Sequence, residues 1–181
     1  MSQYRRIHHP GGMFFFTVAL ADRRATLLID HIGALRAAFR DTKALYPFRI
    51  EAIVILPEHL HCIWSLPSGD SDFALRWRLI KGRFSKSLQP HENLSRSRAS
   101  RNERGIWQRR FWEHTIRDDV DYRTHLDYIH MNPVKHGYAA RVADWPNSSF
   151  HRFGREGFYP QDWGGADVID GSFGERGVVL R

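Results

Sequence analysis

From Phe48 to Leu66 the chain is rich in apolar, aromatic and β-branched residues, and its one sharp interruption is Pro57-Glu58. Such residues favour a pleated backbone packed on at least one face. The segment therefore predicts two strands, Phe48–Leu56 and His59–Leu66, laid antiparallel about a tight Pro-Glu corner. Upstream, Met13–Leu20 (Met-Phe-Phe-Phe-Thr-Val-Ala-Leu) reads as another strand, buried on both faces at its centre. Between these strands Leu28, Ile32, Leu35, Phe39 and Leu45 recur at helical spacing, which predicts a helix from Ala25 to Tyr46 ended by Pro47. A second helix, capped by Ser71 or Asp72, is predicted over Phe73–Leu88 through Phe73, Trp77, Ile80 and Phe84. Ile106–Ile116 returns to strand character, and Arg117-Asp118-Asp119 leads into a third helix from Val120 to Asn132.

The order β-α-β-β-α-β-α predicts an α+β fold of the ferredoxin-like, split βαβ kind. It has a four-stranded antiparallel sheet with helices on one face, plus the third helix, and its first and third strands are central. Gln89–Gly105 carries Arg96, Arg98, Arg101 and Arg104 and almost nothing apolar, and reads as a mobile basic loop. Beyond Gly137 tryptophans, glycines and prolines accumulate, so residues 1–137 read as the main domain and 138–181 as a C-terminal tail packed on it.

Chemistry concentrates first in Pro57-Glu58-His59-Leu60-His61-Cys62. Side chains alternate along a strand, so His59 and His61 project from one face about 6–7 Å apart while Leu60 and Cys62 enter a core on the other. That is how a rigid strand offers two imidazoles to a cation. Glu58 reads as a solvated turn carboxylate, or secondarily as a partner that orients a ligand histidine. The third helix supplies a second feature, Tyr128-Ile129-His130-Met131-Asn132. Residues four apart share a helical face, so the Tyr128 phenol and the Asn132 carboxamide address one spot. Tyr122 lies on a different face. His114 and His130 read as partners of the site, as residues facing a nucleic-acid partner, or equally as ordinary polar surface.

Bulk properties narrow the partners. The 181 residues carry 27 Lys and Arg against 20 Asp and Glu, a net charge of +7, and the isoelectric point is near 10.0. Polyanions, nucleic acid first, are the expected partners. Arginines interleaved with aromatics, as in Arg76-Trp77-Arg78 and Trp107-Gln108-Arg109-Arg110-Phe111-Trp112, suit phosphate forks and base stacking together. The candidate DNA contacts are Arg76, Arg78, Lys81 and Arg83 on the second helix, with Arg109, Arg110 and Lys135. One cysteine, Cys62, excludes an internal disulfide framework, and no stretch approaches the ~18 apolar residues of a membrane span. A soluble cytoplasmic protein, associated with the nucleoid and without a nucleotide cofactor, is expected, since no Gly-rich phosphate-binding motif is present.

With these segments in view, Pro57-Glu58-His59-Leu60-His61, Trp107–His114 and Asp127-Tyr128-Ile129-His130-Met131-Asn132-Pro133-Val134-Lys135-His136-Gly137 resemble those of the REP-associated tyrosine transposases, a branch of the single-tyrosine HUH endonucleases. The likeness runs in order from about Tyr4 to Trp163. It implies that His59, His61 and Asn132 hold Mg²⁺ or Mn²⁺ and that Tyr128 is the nucleophile. It further implies that single-stranded DNA is nicked beside hairpins of repetitive extragenic palindromes, leaving a 5′-phosphotyrosine and a free 3′-hydroxyl, in a protein expected to act as a monomer. Alternative readings are another HUH enzyme, such as a relaxase or replication initiator, and a hairpin-binding protein without catalysis.

Overall fold

A computed structural model describes residues 11–89, 104–164 and 173–174. Four strands, β1 (Met13–Ala19), β2 (Arg49–Ile55), β3 (His59–Ser65) and β4 (Trp112–Thr115), form one sheet in the order β2-β3-β1-β4, with every neighbouring pair antiparallel. The first and third strands are central, as the split βαβ plan predicts. Register sets Thr17 opposite His61 and Ala19 opposite His59.

Alternation gives the two faces different tasks. On one, Phe14, Phe16 and Val18 meet Leu60, Cys62 and Trp64 beneath α2 (Ile32–Leu45) and α3 (Phe73–Ser87). Trp64 and Trp77 stack there with centroids 4.3 Å apart, and large side chains of this kind contribute about 1.5–3 kcal/mol each on burial. On the other face Phe15, Val54 and Ile63 pack under α4 (Asp119–Lys135) and the short α5 (Phe150–Arg155). Thr17, His59 and His61 are buried on that face as well, and they replace apolar burial with polar groups. The nucleophile-bearing helix of the prediction thus covers the face opposite α2 and α3.

Three boundaries differ from expectation. The helix predicted over 25–46 is broken at His31 into α1 (Leu27–Asp30) and α2, and the Leu28 N–H donates to the Pro57 carbonyl at 3.1 Å, tying α1 to the Pro-Glu corner. The strand predicted over 106–116 pairs with the end of β1 near Trp107, leaves the ladder at Arg109-Arg110, and rejoins it as β4. The third helix does not stop before Pro133 but continues to Lys135. It ends where Gly137, at φ +71°, takes a left-handed turn, so that Gly137 N–H reaches the Val134 carbonyl and Tyr138 N–H the Pro133 carbonyl. Proline removes one donor, but this C-terminal motif satisfies the last carbonyls of the helix.

Beyond α4, Asn147 and Ser149 bond the β2 backbone at Ile55 and Ile53, and Trp145 donates its indole N–H to the Ile55 carbonyl. The predicted loop 89–105 falls, between 90 and 103, outside the described residues. Its last arginine, Arg104, donates to the Ser85, Leu88 and Gln89 carbonyls and caps the C-terminus of α3.

Candidate active site

Strand β3 brings His59 and His61 to one face with ring centroids 4.9 Å apart, closer than ideal pleating suggests. Each ring is held through Nδ1. The His59 Nδ1 lies 2.8 Å from Glu58 Oε1. Burial pushes the Glu58 carboxyl up, but the hydrogen bond and charge of His59, with Arg23, outweigh it and hold Glu58 below its ordinary value. The carboxylate is therefore ionised and accepts, which places the proton on His59 Nδ1. His61 Nδ1 lies 2.8 Å from Thr17 Oγ1, and Thr17 Oγ1 is 2.6 Å from the Phe173 carbonyl. A carbonyl only accepts, so it takes the single hydroxyl proton and leaves Thr17 to accept from His61 Nδ1–H. Both imidazoles thus carry their lone pair on Nε2, the tautomer a metal-ligating histidine needs.

The solvated reading of Glu58 is overturned. The residue is 4% exposed because the β1–α1 connection folds over the corner: Leu20 N–H bonds the Glu58 carbonyl, Arg23 approaches Oε1 at 3.4 Å, and the Tyr138 hydroxyl donates to Oε2 at 3.1 Å.

Helix α4 supplies the facing groups. Tyr128 is buried with its ring 5.2 Å from that of His61, and Asn132, one turn on, is fully buried. The Lys135 Nζ donates to the Tyr128 hydroxyl at 3.2 Å and sits 4.6 Å from its ring centroid. His136, at the end of α4, brings its ring 5.1 Å from His59. Phe173 stacks on Tyr128 with centroids 3.7 Å apart at 20°. Gly174 follows at φ +77°, where a Cβ would lie 2.5 Å from a Trp112 ring carbon. This arrangement combines a pair of oriented imidazoles, a buried phenol with an ammonium on its oxygen, and a buried carboxamide on the same helix. It places two buried imidazoles, a buried phenol and a buried carboxamide on facing elements.

The chain is 51% identical over 97% of its length to a REP-associated tyrosine transposase of Escherichia coli K12, covering 98% of that protein. It is 50% identical over 91% of its length to a putative REP-associated tyrosine transposase of Haemophilus influenzae, covering 94% of it. The chain belongs to the REP-associated tyrosine transposases. It is thus a transposase of the DNA-cleaving tyrosine class. A solved structure of a REP-associated tyrosine transposase bound to a REP hairpin superposes with a TM-score of 0.84 at 49% identity, over 98% of this chain and 99% of that one. No family model matches the chain.

Within this transposase the predicted basic residues separate into two groups. Arg76 is not available to DNA. It is 2% exposed, paired with Asp70 and bonded to the carbonyls of Tyr46, Pro47 and Asp72, so it ties α3 to the turn before β2. Arg83 reaches across to Thr42 on α2. Arg78 and Arg109 are exposed and, with Lys81, line a groove floored by Trp77, Trp107 and Phe111 on the α3 side of the sheet. Lys81 donates to the Gln108 carbonyl, and burial brings its ammonium down to about 8. Arg110 is exposed, whereas Lys135, expected on phosphate, instead bonds the Tyr128 hydroxyl.

His130 does not face DNA either. It is buried among Phe150, Phe153 and Tyr159, bonds Ser149 Oγ, and is pushed down to about 3 by burial and by the Arg152 and His151 charges. Tyr122 lies at the edge of the second core, its hydroxyl pushed up by burial and by Glu51. Sequence reasoning missed Thr17, His136 and Phe173. Thr17 left one trace, as the only polar residue in an otherwise apolar strand. Among the described residues no helix is long and apolar enough to cross a membrane.

Proposed function

We propose that the chain is a metal-dependent single-stranded DNA endonuclease and strand transferase that acts beside hairpin-forming palindromic repeats through a phosphotyrosine at Tyr128. The observation that carries this reading is the Tyr128 hydroxyl, held by the Lys135 ammonium at 3.2 Å on a ring packed against His61. At neutral pH an ordinary phenol is only about 0.1% ionised, so nucleophilic use requires positive charge beside the oxygen.

His59 and His61 fit a divalent cation because both tautomers are fixed with Nε2 as the acceptor, and buried Asn132 offers an amide oxygen from α4. Two nitrogens in the set favour Mn²⁺ over Mg²⁺. When bound, such an ion polarises a phosphoryl oxygen and neutralises charge developing on it. The Tyr128 phenol gives its proton to water, and Lys135 stabilises the resulting oxyanion. That oxygen forms a bond to phosphorus as the P–O3′ bond breaks, and the departing 3′-oxygen takes a proton from water. Bond energy stored in the tyrosyl ester then supports rejoining without nucleotide hydrolysis.

Hairpin-bearing single strands are the substrate this reading requires, as one solved relative is a transposase bound to a REP hairpin. Arg78, Lys81, Arg109 and Arg110 are the proposed phosphate contacts. We assign residues 1–137 to the catalytic domain and 138–181 to a tail packed on it, in a protein acting as a monomer in the cytoplasm. The test is incubation with a hairpin oligonucleotide and Mn²⁺. A covalent adduct that survives a denaturing gel is expected from the wild type and from Tyr122→Phe, and none from Tyr128→Phe. An undiminished adduct with Tyr128→Phe removes the assignment, and hairpin binding with no adduct from any variant reduces the chain to a binding protein.

A further inference from the structure

We propose that His114, Asp121 and His125 form a second divalent-cation site, of the zinc class, which fastens the start of α4 to the edge strand β4. Asp121 and His125 lie one turn apart on a helical face, and His114 faces them from β4. One donor atom from each residue lies within 4.8 Å of the other two. The His114 Nε2 is 2.8 Å from Asp121 Oδ2, and the His125 Nδ1 is 3.0 Å from Asp121 Oδ1. Around a tetrahedral zinc with bonds of about 2.0–2.1 Å, neighbouring donors stand about 3.3 Å apart. The two contacts to the carboxylate therefore need to open by only a few tenths of an ångström, while the two imidazole nitrogens, no more than 4.8 Å apart, close toward the same spacing.

The surroundings suit an ion. The two imidazoles stack with centroids 4.6 Å apart and planes 13° from parallel, so both rings present an edge to the same carboxylate. Trp112, Phe15 and Phe173 wall the pair with apolar surface, which strengthens electrostatic attraction at the site. The side chains of His114 and Asp121 each keep 18% exposure, enough for entry from solvent and for water as a fourth ligand. The Arg117 backbone N–H donates to Asp121 Oδ2 at 3.0 Å and orients the carboxylate.

In the metal-free form His114 Nε2 is hydrogen-bonded to the Asp121 carboxylate, while the His125 Nδ1–H donates to the Asp121 backbone carbonyl at 2.8 Å with Oδ1 at 3.0 Å. Metal binding requires each coordinating nitrogen to give up its proton, to the opposite ring nitrogen or to solvent. Two imidazoles and one carboxylate with an open position form the donor set of zinc, cobalt and nickel rather than of magnesium. The carboxylate also distinguishes this set from His59, His61 and Asn132, which are all neutral. Because His125 precedes Tyr128 by one turn and Phe15 touches both rings, an ion here stiffens the segment that carries the phenol.

The experiment uses the full chain, stripped with chelator and titrated with Co²⁺ and Zn²⁺. His59→Ala/His61→Ala removes the first site, and this variant is expected to retain one tight site, seen as visible d–d absorption with Co²⁺ and a raised melting temperature with Zn²⁺. Adding His114→Ala and His125→Ala is expected to abolish both signals, with circular dichroism confirming the fold. Should those replacements unfold the chain, Asp121→Asn keeps hydrogen-bonding capacity while removing the charge, and is expected to weaken Zn²⁺ binding at least about tenfold. Absence of both signals from the His59→Ala/His61→Ala protein, or their survival after loss of His114 and His125, overturns the site and leaves the cluster as a hydrogen-bonded clasp. Neither result bears on the Tyr128 adduct, which tests the nuclease reading separately.

Discussion

Replacing Glu58 asks whether the His59 imidazole must be held as well as present. Glu58 is 4% exposed, accepts His59 Nδ1–H at 2.8 Å and the Tyr138 hydroxyl at 3.1 Å, and lies 3.4 Å from Arg23. Glu58→Ala leaves a buried N–H without its acceptor, a loss of about 1–3 kcal/mol, and lets the ring proton migrate to the nitrogen that would face a cation. Partners that orient ligating histidines are worth about 10–100-fold in metal affinity, or about 1.4–2.8 kcal/mol. Glu58→Gln keeps an oxygen for Nδ1–H and removes only the charge, so it should fall near the lower figure. The assay is the rate of adduct formation against Mn²⁺ concentration. Glu58→Ala is expected to shift half-saturation upward by about 10–100-fold, with most of the rate restored by excess Mn²⁺. Because the folded carboxyl is held below its ordinary value of 4.5, its contribution to stability is complete above that pH and is lost as pH falls through the lowered value. An unchanged Mn²⁺ dependence in both variants would refute the carboxylate–histidine argument.

Lys135→Met removes a charge 3.2 Å from the phenol oxygen. Lys135 itself is exposed, so solvent screens the pair and its contribution amounts to about 1–2 kcal/mol; single-turnover cleavage should slow about 5–30-fold at unchanged hairpin affinity, with partial recovery in Lys135→Arg, and an equal loss in binding would return Lys135 to the phosphate contacts. Phe173→Ala uncovers a Tyr128 that is 2% exposed and should raise adduct yield, whereas an unchanged yield would show that substrate reaches the phenol past this ring. His130 is pushed down to about 3 in the fold from an ordinary 6.5, so the unfolded chain binds the extra proton between those values and stability falls as pH drops through them. Between pH 7 and 5 the loss should be about 2 kcal/mol by urea denaturation, and His130→Phe should flatten it. Asn132→Ala should weaken Mn²⁺ binding and respond to excess metal, unlike Tyr128→Phe, and a Mn²⁺ response identical to wild type would place the third ligand elsewhere.

Periodicity is a local property, and what depended on it alone was legible from the chain. The period of two put His59 and His61 on one face and Leu60 and Cys62 on the other, and the period of 3.6 put Tyr128 and Asn132 together. The corner at Pro57-Glu58 and the chain order were sufficient to place β1 and β3 at the centre of the sheet. Lys135 lies seven residues, or two turns, from Tyr128, so its approach was also within reach of helical spacing, though its charge pointed to phosphate.

Everything that orients the site depended on contacts between distant segments. The pairing of Thr17 with His61 follows from cross-strand register over 44 residues, and Tyr138 reaches Glu58 over 80. No local pattern shows that the β1–α1 connection buries Glu58, that Arg76 turns inward to Asp70, or that Phe173 returns to Tyr128. Charge in a sequence reads as solvated because most charges are, and only the stacking of layers decides which of them lose water and bind a neighbour instead. The amino-acid order thus determined the reactive residue types and the face each occupies. The tertiary structure decided which nitrogen each histidine presents, which cation stands on the phenol, and which arginines remain exposed.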